Sequence, residues 1–277
     1  MRCAGPHRGC SAPGGGAIVR RMAAGERVLH QFRFSHYNEK ARWALDYKGL
    51  AHRRESYIPG PHRAALRRVS GQSQVPVLCE AGQAVAGSAA IVDHLERTCP
   101  TPALYPADAD ERQRALALQA WFDDEVGGPI RAAAFHEWLE DGALMTTLYA
   151  AWKGPLAAAA YRAGFPLLRQ AMRAAMHITP DVAAQGAARA GEAFDRVARE
   201  AGPDGYLVGD RFTIADLTAA AILSPAVLPD EFPYPPPRPH PPTLERWLAR
   251  WREHPGAAWV REMYRRHRGT YAGDGTA

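Results

Sequence analysis

The first residue with chemical promise is Ser35. It follows the apolar run VLHQF (28–32) and opens a stretch with helical spacing. A hydroxyl or thiol at such a junction has unpaired helix-end N–H donors and the positive end of the helix dipole beside it. Both stabilise an anion, a thiolate included. Arg42 lies two turns along the same face. A second place is Val75-Pro76, at the start of the strand-like VPVLCE (75–80). A cis bond is tolerated there. It would turn the Val75 backbone outward, free to pair with a peptide-like ligand. Ser88, just after Gly87, opens another helical stretch. Its hydroxyl and the local N–H groups would face an incoming carboxylate. Each residue also has a plainer reading. Ser35 can be an ordinary N-cap. His36 reads as an exposed loop histidine and Tyr37 as a core contact. Lys40 and Arg42 read as surface pairs with Glu39 and Asp46.

Particular elements must position these groups. VLHQF and HRRESYI (52–58) read as strands around a helix at 36–49, which Gly49 stops. Pro59-Gly60-Pro61 turns the chain into a short helix at 62–70. Strands VPVLCE and QAVA (83–86) follow, then a helix to about Thr98. The order βαβ-α-ββα in some 70 residues is a small α/β domain with a mixed sheet. From 104 to 268 almost no strand signal remains. Helical stretches at 108–140, 143–177, 180–201, 213–228, 243–254 and 256–268 read as a bundle. The expected division is a disordered leader (1–26), an α/β domain (27–98), a linker (99–107), a helical domain (108–268) and a tail (269–277). Met22 is an alternative start. The proline tract 233–242 reads as a rigid inter-helix loop.

Composition narrows the possibilities. The 277 residues are 47% hydrophobic and 23% charged, enough to bury a core without staples. No apolar run reaches the length of a membrane span, so no membrane partner is expected. The best candidate, after Asp216, is short and broken by Pro225; it reads as a buried helix. The formal net charge is +5, but arginines alternate with acids, and only Lys40, Lys48 and Lys153 are lysine. That pattern reads as coding bias, not as a nucleic-acid surface. Arg261, Arg265, Arg266 and Arg268 read as the solvated face of a last helix. Four scattered cysteines fit a reducing cytoplasm. No HExxH or His/Cys cluster calls for a metal.

A strand–helix junction at Ser35, a VPVL…GSAAI pair (75–78, 87–91) and the segment YLVGDRFTIADLTAAAIL (206–223) occur in that order. In the last, Thr213 and Asp216 have the spacing of a capping box, and Phe212 with Leu217 that of a hydrophobic staple. Together these resemble the cytosolic glutathione transferase family over about 28–268. The resemblance implies a thioredoxin-like N-terminal domain followed by an all-helical domain. It implies glutathione as cosubstrate, activated at Ser35 for attack on a small electrophile. It implies that Val75, before Pro76, pairs with the cysteinyl backbone, and that Ser88 binds the γ-glutamyl carboxylate. A homodimer is the common assembly. Trp121, Phe122, Phe135 and Trp138 are candidates for the apolar substrate wall, although aromatics at this spacing also build cores. Asn38 stands where some relatives carry the second cysteine of a CxxC pair. With Ser35 and Asn38 there, thiol–disulfide exchange lacks both sulfurs. One departure concerns Gly87. The family usually has an acidic or amide residue there, and Gly87 has no side chain. A non-catalytic binding or scaffold protein is therefore the alternative.

Overall fold

The computed structural model describes residues 26–272. The expected leader, the alternative start at Met22 and the last residues of the tail lie outside them.

The N-terminal domain runs β1 (Arg27–Gln31), α1 (His36–Tyr47), β2 (Arg53–Ser56), α2 (His62–Ser70), β3 (Val77–Glu80), β4 (Gln83–Ala86) and α3 (Ser88–Thr98). The four-stranded sheet has the order β2-β1-β3-β4. β1 and β2 are parallel, and the other pairs antiparallel. Alternation sends neighbouring side chains to opposite faces. Leu29 and Leu78 therefore join Ala41, Ala44, Leu45, Ile91 and Leu95 of α1 and α3. Val28, Val77 and Cys79 join Leu66 of α2 on the other face. This is the thioredoxin-like, helix-flanked mixed sheet. Val75-Pro76 is cis, as expected.

The helical domain comprises α4 (Ala109–Trp121), a wide π turn (Phe122–Val126), α5 (Gly127–Trp138), α6 (Gly142–Tyr149), a 3-10 turn (Ala151–Lys153), α7 (Pro155–Ala175), α8 (Pro180–Glu200), α9 (Ile214–Val227), α10 (Pro242–Ala249) and α11 (Pro255–His267). The stretch 108–140 is thus two helices joined by the π turn. α9 is apolar all round and buried from Ile214 to Ala226, the mark of a central helix. Pro225 has no N–H for the Ala221 carbonyl. The Ser224 hydroxyl donates to it instead, at 2.8 Å. The capping box at the start of α9 forms: the Thr213 N–H donates to Asp216 at 2.9 Å, and the Thr213 hydroxyl accepts from Ala215. Asp216 also accepts from the Leu207 N–H at 2.7 Å, which fixes the approach loop. Among the described residues no helix is long and apolar enough to cross a membrane.

Polar groups on α1 are more buried than the sequence suggests. Lys40 and Arg42 are not surface residues; both are fully buried. Lys40 pairs with Asp123 of the π turn at 2.5 Å. Arg42 pairs with Glu39 at 2.7 Å. Arg268 is the clearest correction to the solvated-face reading. It is 2% exposed, and its guanidinium donates to Glu39 at 2.5 Å and to Asp46 at 2.9 Å. Arg261, Arg265 and Arg266 do face solvent. The proline tract has no regular structure up to Pro241, its last proline opens α10, and it lies on the N-terminal domain: Gln31 donates to the Tyr234 hydroxyl at 3.0 Å.

Two stability predictions arise here. Arg268→Ala leaves two buried carboxylates short of a partner, and denaturant unfolding should show a loss of about 3–5 kcal/mol. A loss under about 1 kcal/mol would mean that water or rearranged partners replace it. Thr213→Ala should cost about 0.5–2 kcal/mol by the same measurement. An equally stable variant would contradict the capping role.

Candidate functional site

A cleft of about 1130 Å³ lies between the two domains. Ser35, Val75, Pro76, Gly87 and Ser88 all line it. Three separate loops of the sheet domain therefore present their singled-out residues to one space.

Ser35 has extended backbone (φ −160, ψ 127) and sits at the N-cap of α1. Its side chain does not cap the helix. Instead its Oγ accepts from Asn38 Nδ2 at 2.7 Å. That bond occupies a lone pair and leaves the hydroxyl proton to donate elsewhere. Arg42 braces the junction. It donates to Gln31 Oε1 at 2.8 Å and to the Phe32 carbonyl at 3.0 Å, as well as to Glu39. The Tyr149 hydroxyl holds the Phe34 carbonyl at 2.9 Å. The loop before Ser35 is thus pinned from both sides.

His36 departs from expectation. It is 4% exposed and tilted against the Tyr37 ring, because the start of α5 packs on the start of α1. Burial pushes its imidazole down to about 3, so it is neutral. Burial pushes the Tyr37 phenol up to about 12, which keeps it a donor. Its hydroxyl donates to the Asp123 carbonyl at 2.7 Å. The π turn makes room for this contact, a common use of such widened turns. Gly127 completes it: a Cβ there would meet the Tyr37 hydroxyl at 2.3 Å.

At the other end, Gly87 and not Ser88 is the N-cap of α3. Ser88 is the first helical residue, buried and on the cleft. Gly87 has φ 94 and ψ 140, a region essentially reserved for glycine. Its N–H donates to the Pro76 carbonyl at 2.9 Å, tying the Val75-Pro76 turn to the start of α3.

The aromatic wall is half as expected. Phe135 and Trp138 line the cleft; Trp121 and Phe122 do not. Phe122 continues the inward stripe of Ala115 and Leu118 and is fully buried. Trp121 packs under the Arg196 guanidinium, 4.4 Å away. The cleft-facing stripe of this segment is Leu116, Gln119, Ala120 and Asp123. The same i, i+3, i+4, i+7 spacing in α5 brings Arg131, Ala134, Phe135 and Trp138 to the cleft. A choice by residue type found the aromatics; following the helical period would have found Gln119, Asp123 and Arg131. Among the described residues no group of three or more His, Cys, Asp or Glu side chains could hold a metal ion.

Two family models match the chain. The glutathione S-transferase N-terminal domain matches residues 29–103, and the glutathione S-transferase C-terminal domain matches 180–250. Between them they cover more than half of it. The chain belongs to the glutathione S-transferase family. A maleylpyruvate isomerase from Ralstonia sp. is 38% identical over 95 residues, which are 33% of this chain and 45% of that protein's length. The match therefore spans less than half of that relative. A beta-etherase from Sphingobium sp. superposes with a TM-score of 0.56 at 20% identity, covering 85% of this chain and 98% of the other. A glutathione S-transferase from Rhodospirillum rubrum does so with a TM-score of 0.54 at 22% identity, covering 84% and 91%. At those identities the two structures speak to fold alone. Gly87 lies within the matched N-terminal domain, at the position where the resemblance implies an acid or amide side chain.

The Gly87 backbone bears on any attempt to restore that side chain. Space is open around a Cβ there, with nothing within 4 Å. The backbone conformation is the obstacle. Gly87→Asp should cost about 1–3 kcal/mol in denaturant unfolding. No measurable loss would mean that the turn relaxes readily.

Proposed function

We propose that this protein is a glutathione-dependent enzyme that activates the glutathione thiol at Ser35 for attack on a small electrophile. The observation that carries the proposal is the convergence of Ser35, Val75 and Ser88 on one cleft, faced by the apolar Phe135 and Trp138. In this reading the domains are 27–98 and 108–268, joined by 99–107. The chain works in the cytoplasm as a homodimer, as the family resemblance implies.

The division of labour follows from the chemistry. The backbone of Val75 pairs with the cysteinyl unit of glutathione. Ser88 and the uncapped amides of α3 take the γ-glutamyl carboxylate. The sulfur then lies against the start of α1. A free thiol has a pKa near 8.5, so only a few per cent is thiolate at neutral pH. The Ser35 hydroxyl, whose oxygen already accepts from Asn38, donates a hydrogen bond to the sulfur anion while keeping its proton. The helix end adds its positive field. A drop of two pKa units corresponds to about 2.7 kcal/mol of preference for the anion. The thiolate attacks an electrophilic carbon held against Phe135 and Trp138. The thiol proton leaves to solvent as the thiolate forms. The new carbon–sulfur bond then forms as the carbon's bond to its leaving group breaks, and that group departs with the electron pair, as chloride does from an aryl chloride. The name of the Ralstonia relative favours an enzyme over a scaffold.

One observation favours the second reading, a non-catalytic binding protein: Gly87 offers no side chain to the glutamyl end. Retention on immobilised glutathione, followed by a conjugation assay with a generic aryl chloride, separates the two. Binding without conjugation supports the scaffold.

Substitutions test the roles. Ser35→Ala should lower turnover about ten- to a thousand-fold, by analogy with loss of one oxyanion donor, and change glutathione affinity much less. Ser88→Ala should raise the Michaelis constant for glutathione with a smaller effect on turnover. If Ser35→Ala leaves turnover intact, Ser35 is not the activating group.

A further inference from the structure

We infer that Arg131 selects electrophiles that carry a carboxylate, binding that group at the helical-domain end of the cleft. The inference deepens the glutathione-dependent reading and rests on it.

Arg131 heads the stripe of α5 whose other members are Ala134, Phe135 and Trp138. The α5 stripe is otherwise apolar and carries one cation, while the neighbouring stripe adds Gln119 and Asp123. Its guanidinium lies 5.9 Å from the Tyr37 ring centroid, in the cleft that Ser35 also lines. Among the described residues no carboxylate forms an ion pair with it, and its Nε is shut from solvent with no hydrogen-bond partner. The nearby groups do not compensate. Tyr37 spends its hydroxyl on Asp123, and Tyr149 spends its own on Phe34. His36 is neutral, since burial pushes it down to about 3. Asp123 gives its Oδ2 to Lys40, and its Oδ1, buried without a hydrogen-bond partner, makes no ion pair with Arg131. Asp124 also borders the cleft, but it is exposed and makes no ion pair with Arg131.

Native arginines in such settings usually have a carboxylate, because a desolvated donor without a partner is costly. Here the cleft itself is the open side. A planar guanidinium matches a carboxylate with two parallel bonds. The tripeptide's own recognition groups, Val75 and Ser88, come from the sheet domain. Arg131 comes from the opposite wall, beside the aromatics. The ligand that fits has an apolar body against Phe135 and Trp138 and a carboxylate at Arg131.

The test is calorimetric and uses the full chain. The probes are glutathione, S-carboxymethyl and S-carboxypropyl glutathione, and the neutral amides of those two conjugates. Each acid and its amide differ in charge and hardly in size. In the wild type at least one acid should bind about ten- to a hundred-fold tighter than its amide, the range for a charge-assisted bond. Arg131→Gln should erase that preference and leave glutathione affinity unchanged. Arg131→Lys should restore part of it. Thermal melts confirm that each variant is folded. The inference is overturned if the wild type shows no preference at either length, or if the preference survives Arg131→Gln. It is also overturned if glutathione affinity falls equally, since Arg131 would then read the tripeptide. If glutathione does not bind the wild type at all, the underlying reading fails and this one with it.

Discussion

Helix α1 carries Glu39, Lys40, Arg42 and Asp46 into the interior, and none of them can stay there alone. Desolvating an ion costs several kcal/mol even after relaxation. Each must therefore meet an opposite charge of good geometry. One partner, Arg42, is local, and the others come from three other parts of the chain. Arg54 of β2 reaches Asp46 at 2.6 Å, and Asp123 of the π turn reaches Lys40. Arg268, just past α11, bridges Glu39 and Asp46. Trp43 adds an apolar seal, stacked on Phe212 and tilted against Tyr264, with its indole N–H donating to the His267 carbonyl at 3.0 Å. The two domains are registered against each other by charges that tolerate little displacement.

That register sets the site. The same Arg42 that satisfies Glu39 holds the carbonyl of Phe32 and the side chain of Gln31, so the loop leading to Ser35 has little freedom. The same Asp123 that satisfies Lys40 offers its carbonyl to Tyr37, and Gly127 lets the two surfaces close. The π turn thus fixes α5 against the start of α1, and the stripe of Arg131, Phe135 and Trp138 faces Ser35 as a consequence. A site held in this way is suited to stabilising a small anion, because its donors need not reorganise when the charge develops.

How far the sequence reveals this depends on the range of the interaction. The element order of the sheet domain is legible because strand alternation and turn residues such as Gly49 and Pro59-Gly60-Pro61 are local signals. The capping box of Thr213 and Asp216 is legible for the same reason. Ser88 opens α3 where the sequence places it, and Gly87 takes the cap because a cap with positive φ favours glycine. Arg268 reads as surface because its partner Glu39 lies 229 residues away in the chain. Lys40 reads as surface because nothing near it in sequence announces Asp123. Trp121 and Phe122 have the residue type of a substrate wall, but the helical period turns them away and aims Gln119 and Asp123 at the cleft. Local physics is readable from sequence; the pairing of distant charges needs the fold.

The central claim is that the cleft ionises a thiol on binding it. Glutathione titrated calorimetrically into the wild type at neutral pH, in buffers of different ionisation enthalpy, measures this directly. If the bound thiol's pKa falls well below the ambient pH, binding should release about one proton per site. The observed heat should then vary linearly with the buffer's ionisation enthalpy, while S-methylglutathione, which has no thiol proton, should show no such dependence. Binding heats that are the same in every buffer for glutathione itself would contradict the account.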